Sequence, residues 1–210
     1  MKFQDLINKY PDRNFMVIGT GKSLITHLPK ILQFIKDHNV ITIAINNIPP
    51  EIHPDFHLWT NNQRFSKYGK ITNPNLGIMI GAHIQAKFLA KNKIKKFIKI
   101  PCHDRDQNEP IVFKKGKMRG YYKTAGNQAI LISHILGAKQ VYVVGMDGFA
   151  LNFDGGTHYY KDGKEELKTL KDWKQRDAIV AKALKELHTI TKFKIITPTI
   201  HESYYDKKIL

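Results

Sequence analysis

The stretch Asn14-Phe15-Met16-Val17-Ile18-Gly19-Thr20-Gly21-Lys22-Ser23-Leu24 decides how this chain is read. Phe15 to Ile18 is an apolar run suited to a strand covered on both faces. Gly19 and Gly21 permit a tight turn and a close approach of the backbone to a ligand. Ser23 is placed to cap or open the helix that follows, from Leu24 to about His38, with Leu24, Leu28, Ile31, Leu32 and Ile35 along one face. Pro29 either kinks that helix or marks its true first turn. A strand, a glycine turn and a helix start would present free backbone N–H groups and a positive dipole end to a phosphate or carboxylate. The motif is not a Walker A loop, because Met16 stands where the first glycine belongs. It is not a full dinucleotide fingerprint either, because Leu24 replaces the third glycine. On the motif alone, anion binding and a bare βα turn are both open.

The rest of the chain repeats the alternation. Val40 to Ile45 is a second buried strand, stopped by Asn46-Asn47 and then Ile48-Pro49-Pro50. Asn46 and Asn47 therefore fall at a strand's carboxyl end, where α/β sheets bind ligands, and can read a base edge or ribose or simply form a turn. Asp55 to Thr60 is a third strand, ending in Asn61-Asn62-Gln63-Arg64. Asn61 repeats the strand-end pattern, and Arg64 suits a phosphate or a solvated surface. Ile78 to Ile80 is a further apolar stretch. Lys93 to Ile100 reads as a strand or helix end with a basic outer face, and Pro101 to Arg119 as a long loop.

Thr124 caps a helix carrying Ala129, Ile130, Ile132 and Ile135, and Gly137 closes it. Val141 to Val144 is a strand that brings Asp147 to the sheet's carboxyl edge, where a carboxylate can hold Mg²⁺, orient a hydroxyl or cap a turn. Leu151 to Gly163 is rich in glycine, aspartate and aromatics and reads as a ligand loop or lid. It contains His158, whose side chain is matched to proton transfer near neutral pH. Glu165 to His188 forms a long amphipathic helix, Phe193 to Ile196 a last strand, and residues 200–210 a tail without assigned structure. The pattern predicts one α/β domain over 1–210, a Rossmann-like, mostly parallel sheet flanked by helices, with a lid insertion at about 151–171.

Composition narrows the partners. The 210 residues carry 34 Lys and Arg against 18 Asp and Glu, a net charge of +16. That excess favours anionic partners, but no helix-turn-helix, zinc-finger or aromatic RNA-binding motif accompanies it, so no stable nucleic-acid complex is expected. Cys102 is the only cysteine and cannot form an internal disulfide, which fits a reducing compartment. With no apolar run of about 20 residues and no signal-peptide pattern at the N-terminus, the expected location is cytoplasmic, with contact at the inner face of the membrane left open.

Two blocks resemble a known superfamily. Val17-Ile18-Gly19-Thr20-Gly21-Lys22-Ser23-Leu24 is similar to the Gly-x-Gly-Pro-Ser-Leu opening of bacterial lipooligosaccharide sialyltransferases, shared with Maf-type flagellin glycosyltransferases and archaeal hydroxymethylpterin pyrophosphokinases. Thr124-Ala125-Gly126, followed by Leu136 to Phe149, resembles their second signature, a Thr/Ser-x-Gly helix start leading to a strand and Gly-x-Asp. The resemblance implies a nucleotide site formed by Gly19, Thr20 and Gly21, by Asn46 and by Thr124, Ala125 and Gly126; Lys22, Ser23, Asn47, Asn61 and Asp147 join the expected nucleotide or phosphate site by their places in the same turn and at the strand ends. It implies catalysis by His158 as general base, with Tyr159 and Tyr160 stabilising a leaving phosphate. Lys22 replaces the usual proline and Thr20 the usual asparagine.

The function expected from this resemblance is that of a glycosyltransferase-like enzyme of surface-polysaccharide or glycoconjugate synthesis. Its donor would be a CMP- or other NDP-sugar and its acceptor an acidic or phosphorylated glycan, and a homo-oligomer is left open. No cofactor is assigned, and Mg²⁺ on Asp147 is left open. The alternatives are a Mg²⁺-dependent phosphotransferase of the pyrophosphokinase type and a non-catalytic nucleotide-sugar-binding accessory protein.

Overall fold

The computed structural model describes residues 1–104, 109–151, 156–160 and 169–210. The apolar runs become strands, and all neighbours in the main sheet pair in parallel, as strands buried on both faces require. In chain order they are β1 (Arg13–Ile18), β2 (Ile41–Ile45), β3 (Phe56–Trp59), β4 (Gly77–Gly81) and β5 (Ile98–Ile100). A small sheet of β6 (Cys102–Asp104), β7 (Val112–Lys114) and β8 (Lys117–Gly120) intervenes before β9 (Ala138–Val144) and β10 (Phe193–Ile195). The main sheet runs β10-β9-β1-β2-β3-β4-β5. Connections from β1 lead outward on one side, while β9 returns to its other side. The order therefore reverses between β1 and β9, the crevice where open α/β sheets bind ligands.

Helices cover both faces. Short α1 (Ser23–Thr26) is followed by α2 (Leu28–His38), α3 (Asn62–Tyr68) and α4 (Ala86–Lys91), and later by α5 (Ala125–Ile135) and α6 (Leu170–Ile190). Alternation along the strands sorts the two faces. Phe15 and Val17 join Ile41, Ile43 and Ile45 beneath α5 and α6, whereas Met16, Ile18 and Ala44 pack with Ile31 and Phe34 of α2. Trp59, Ile78 and Ile80 close a third cluster with Phe65 of α3 and with Ile84 and Ile94, which flank α4. The Rossmann-like α/β architecture expected from the sequence is thus present.

Several boundaries differ, each for a local reason. The single helix expected to run from Leu24 is two, broken at His27, and Pro29 sits in the first turn of α2, where its missing N–H costs nothing. The loop expected over Pro101 to Arg119 contains β6, β7 and β8. Its hairpin turns through Lys115 (φ 50°) and Gly116 (φ 69°), a two-residue turn with positive φ at both positions. The apolar N-terminal segment is a 3₁₀ turn that buries Phe3 and Leu6 and leaves Ile7 at the surface. The unassigned tail is docked, with Tyr205 bridging Ile195. The expected lid lies largely outside the described residues, which include only Leu151, 156–160 and 169–171 of it.

Candidate functional site

A cleft of about 630 Å³ opens at the carboxyl ends of the strands, where β1 and β9 part. Gly19, Thr20 and Gly21 line it after β1, Asn46 after β2, Asn61 after β3, Gly126 at the start of α5, and Asp147 after β9. The two sequence blocks, more than a hundred residues apart, share this one cleft.

The glycine turn makes the close approach its sequence promised, but to protein. The Gly19 N–H donates to the carbonyl of Val144 (2.7 Å) and the Gly21 N–H to that of Gly145 (2.8 Å). A Cβ on Gly19 would lie 2.8 Å from the Gly145 carbonyl carbon, so only glycine fits. The start of α1 is also filled. Asp147 accepts from the Ser23 N–H (2.9 Å) and, through its other oxygen, from the Ser23 hydroxyl. The free N–H groups expected at Gly19, Gly21 and Ser23 are therefore engaged, because β9 and its loop lie against the turn and take them. Asp147 acts as the cap of α1.

The unengaged helix start is that of α5. Thr124 caps it by accepting from the Asn127 N–H, while no described residue accepts from the N–H groups of Ala125 and Gly126, which line the cleft. An 11-residue helix thus turns its positive end toward the cavity.

Asn46 is 4 % exposed, lines the cleft and holds φ 55°, an uncommon value for a side chain other than glycine. Its carbonyl accepts from Nε2 of His57 (2.6 Å), a ring buried in β3 whose pKa burial lowers to about 4. That bond helps hold the turn. The Asn46 Oδ1 is buried without a hydrogen-bond partner among the described residues, which marks a site for an incoming donor.

His158 is 8 % exposed and bound at both ring nitrogens. Arg64 lies 2.6 Å from Nε2, and Thr20 Oγ1 lies 2.9 Å from Nδ1. Guanidinium only donates, so Nε2 accepts, the proton sits on Nδ1, and Nδ1 donates to Thr20. Burial, then Arg64, then Arg176 push the pKa down to about 3. The Tyr159 N–H donates to the Thr20 carbonyl (3.0 Å), so Thr20 pins this segment to the glycine turn twice.

Not every expected residue reaches the cleft. Lys22, Ser23, Asn47, Tyr159 and Tyr160 are outside its lining. Tyr160 stacks on His158 with centroids 5.3 Å apart, and Tyr159 packs toward the α2 cluster, its hydroxyl pKa raised chiefly by burial. In this arrangement Tyr160 supports the histidine, and neither tyrosine lines the cleft. Asn61 lines the cleft, but its side chain caps α3 by accepting from the Arg64 N–H.

Other lining residues come from places the sequence reading passed over. Arg176 on α6 stacks over Phe149 at 4.2 Å and stands 5.7 Å from the Trp173 ring. Asp177 accepts from the N–H groups of Phe149 and Ala150 (both 2.8 Å), tying the loop after β9 to α6. The sequence held one signal for this. Trp173, Asp177, Val180 and Leu184 are spaced as one buried stripe, and a carboxylate within such a stripe must have a partner. From the far end, Thr197 accepts from the Gly145 N–H (3.0 Å) and Thr199 donates to the Met146 carbonyl (2.7 Å). Lys67 and Lys123 add two cations to the wall, and the two lining carboxylates are both engaged. Among the described residues no cluster of three or more His, Cys, Asp or Glu could hold a metal. Asp147, the residue expected to carry Mg²⁺, holds Ser23 with both of its oxygens.

No protein-family profile and no curated protein matches the chain by sequence. By structure it is similar to the sialyltransferase CstII from Campylobacter jejuni, solved with the substrate analogue cytidine-5'-monophosphate. The TM-score is 0.52 at 15 % identity, over 93 % of this chain and 84 % of that one. At that identity the likeness speaks to the fold, and it spans nearly the whole chain.

Proposed function

We propose that this chain is a glycosyltransferase-like enzyme that takes a nucleotide-activated sugar in the β1–β9 cleft and transfers the sugar to an anionic acceptor. The observation that carries the reading is the composition of the cleft wall. Among the described residues, Arg64, Arg176, Lys67 and Lys123 line the cavity and its two carboxylates are occupied, beside the open start of α5. A cavity so charged suits phosphate esters. The nucleoside would lie toward Asn46, whose free Oδ1 would receive a donor from base or ribose, and the phosphate toward Ala125, Gly126 and the arginines. That the similar sialyltransferase was solved with cytidine-5'-monophosphate supports a nucleotide as the ligand class.

His158 would then act as base only after the donor binds. Phosphate drawing Arg64 away from Nε2 frees that nitrogen and offsets the two guanidinium charges that depress its pKa. Thr20 keeps the proton on Nδ1, leaving Nε2 to take the acceptor's hydroxyl proton as that oxygen attacks the sugar carbon and the nucleotide leaves. The double engagement of His158 also favours a second reading, an accessory protein that binds a nucleotide sugar without turning it over.

Thermal-shift measurements against CMP, UDP, GDP and ATP, with and without Mg²⁺, test the site. Donor turnover by the native chain and by His158→Ala tests the chemistry. Enzyme action predicts a nucleotide shift kept in the variant and turnover lost from it. Binding with no turnover in either chain selects the accessory reading, and strict dependence on Mg²⁺ and ATP selects phosphotransfer. No shift with any nucleotide overturns the proposal.

A further inference from the structure

Residues 56–103, which form β3, α3, β4, α4 and β5, contain no Asp or Glu at all, but eight lysines and one arginine. An even spread of the chain's 18 acids would place about four there. The fold gathers this charge at one end of the sheet. Lys87 and Lys91 project from α4, Lys93, Lys95 and Lys96 follow it, and all five are exposed. Lys99 alternates with Ile98 and Ile100, whose side chains pack on the α5 face, so it emerges on the same face as α3 and α4. Asn92 binds the end of α4 to α3 through the carbonyls of Phe65 and Phe88 (both 2.9 Å), and it lies against Gly69. That contact brings Lys70 and Ile71 beside the cluster. Two apolar side chains stand exposed among these lysines, Ile71 at 42 % and Phe97 at 37 %.

We infer that this edge of the domain docks on a bilayer bearing anionic lipids. Lysines supply the charge attraction, and Phe97 with Ile71 enters the headgroup layer. Nucleic acid is the less suited polyanion. The residue built for bidentate phosphate recognition is arginine, and the one arginine of the segment lies in the cleft wall. Arg64, Lys67 and His83 belong both to this segment and to the cleft lining, so docking would set one wall of the cleft beside the lipid surface. The inference does not depend on which ligand the cleft takes.

The test is co-sedimentation of the full chain with vesicles of phosphatidylcholine alone or with about 30 % phosphatidylglycerol. Binding is expected only with the anionic lipid and should fall steeply on raising salt. Lys95, Lys96 and Lys99 together changed to Gln should weaken it about a hundredfold, at roughly fivefold for each lysine. The Gln variant keeps the long polar side chains, and its circular dichroism and nucleotide shift should match the native chain. Phe97→Ser should lower vesicle binding while leaving binding to heparin unchanged. Equal binding to neutral vesicles, no binding to anionic ones, or unaltered binding by the triple variant overturns the inference. So does tighter binding to a nucleic-acid duplex than to anionic vesicles. Because nucleotide binding is measured separately, failure here leaves the cleft assignment standing, and the reverse also holds.

Discussion

Acidification should unfold this domain earlier than its carboxylates alone would require, because imidazoles are buried in the neutral form, His158 and His57 most strongly and His201 and His134 in the same direction. His158 is held at about 3 by burial and then by Arg64 and Arg176, and His57 at about 4 by burial. In the unfolded chain both return to the ordinary 6.5. Between about pH 6.5 and the folded values the unfolded chain holds more protons, so stability is complete above that window and falls with pH inside it. Each ring contributes a slope of roughly 1.4 kcal/mol per pH unit. By about pH 5 each has removed about 2 kcal/mol, and the pair about 4 kcal/mol, against a typical total of about 5–15 kcal/mol. Urea denaturation from about pH 7.5 to about pH 5, on the native chain and on His57→Gln and His158→Gln, reads this directly. Each variant should be less stable at neutral pH yet show a slope lower than the native one by about 1.4 kcal/mol per pH unit over the acidic range. Slopes equal to the native one in both variants would refute the reasoning.

Three other outcomes follow from the same contacts. Nucleotide binding should take up protons near pH 6, because an anion beside Arg64 and Arg176 raises the depressed His158. Calorimetry in two buffers of different ionisation heat measures the uptake, and His158→Gln should abolish it. Gly21→Ala puts a methyl group against the Asp147 carboxylate, 2.8 Å from one oxygen, and should cost about 2–4 kcal/mol by breaking the pairing with Ser23. Ser23→Ala should cost only about 1 kcal/mol, seen in the same denaturation assay. Asn46→Gly relieves a side chain at φ 55° and should leave stability equal or higher by up to about 1 kcal/mol. The same change should weaken nucleotide binding by about tenfold.

The strands were legible because each is a short, nearly uncharged, β-branched run ended by glycine, proline or asparagine, and that pattern has few other solutions. Phe15 to Ile18 and Val141 to Val144 read correctly, and Thr124 caps α5 as its type and position predict. The small sheet escaped notice because three-residue strands are too short for a period to show, and only the Lys115-Gly116 turn announced it. The cationic wall was half visible. Arg64 stood at a strand end, but Arg176 lies mid-helix, and nothing in local sequence states that the loop after β9 folds back over it. Asn46 was found by position. The bond from His57 to the Asn46 backbone carbonyl joins two segments, and no single segment records it.

The glycine motif carries the sharpest lesson, because its residues are where expected while three of their donors are taken by protein. Three N–H groups, at Gly19, Gly21 and Ser23, go to Val144, Gly145 and Asp147. All three partners belong to β9 or the loop after it, so the turn joins the two central strands at the point where the sheet order reverses. A backbone donor already bonded at 2.7–2.9 Å adds nothing to an arriving phosphate unless that bond breaks. In the proposed reading the anion would go to groups that need break none, the N–H groups of Ala125 and Gly126 together with that of Thr20. Both blocks line the cleft; in the proposed reading the first shapes it and orients His158 through Thr20, and the second would meet the ligand. The distinction is measurable. Thr124→Ala, which removes the α5 cap, should weaken nucleotide binding more than Ser23→Ala does, even though both remove one hydroxyl from the start of a helix. If the Ser23 variant were the more damaging to binding, the phosphate would belong at α1, with Asp147 moving aside to admit it.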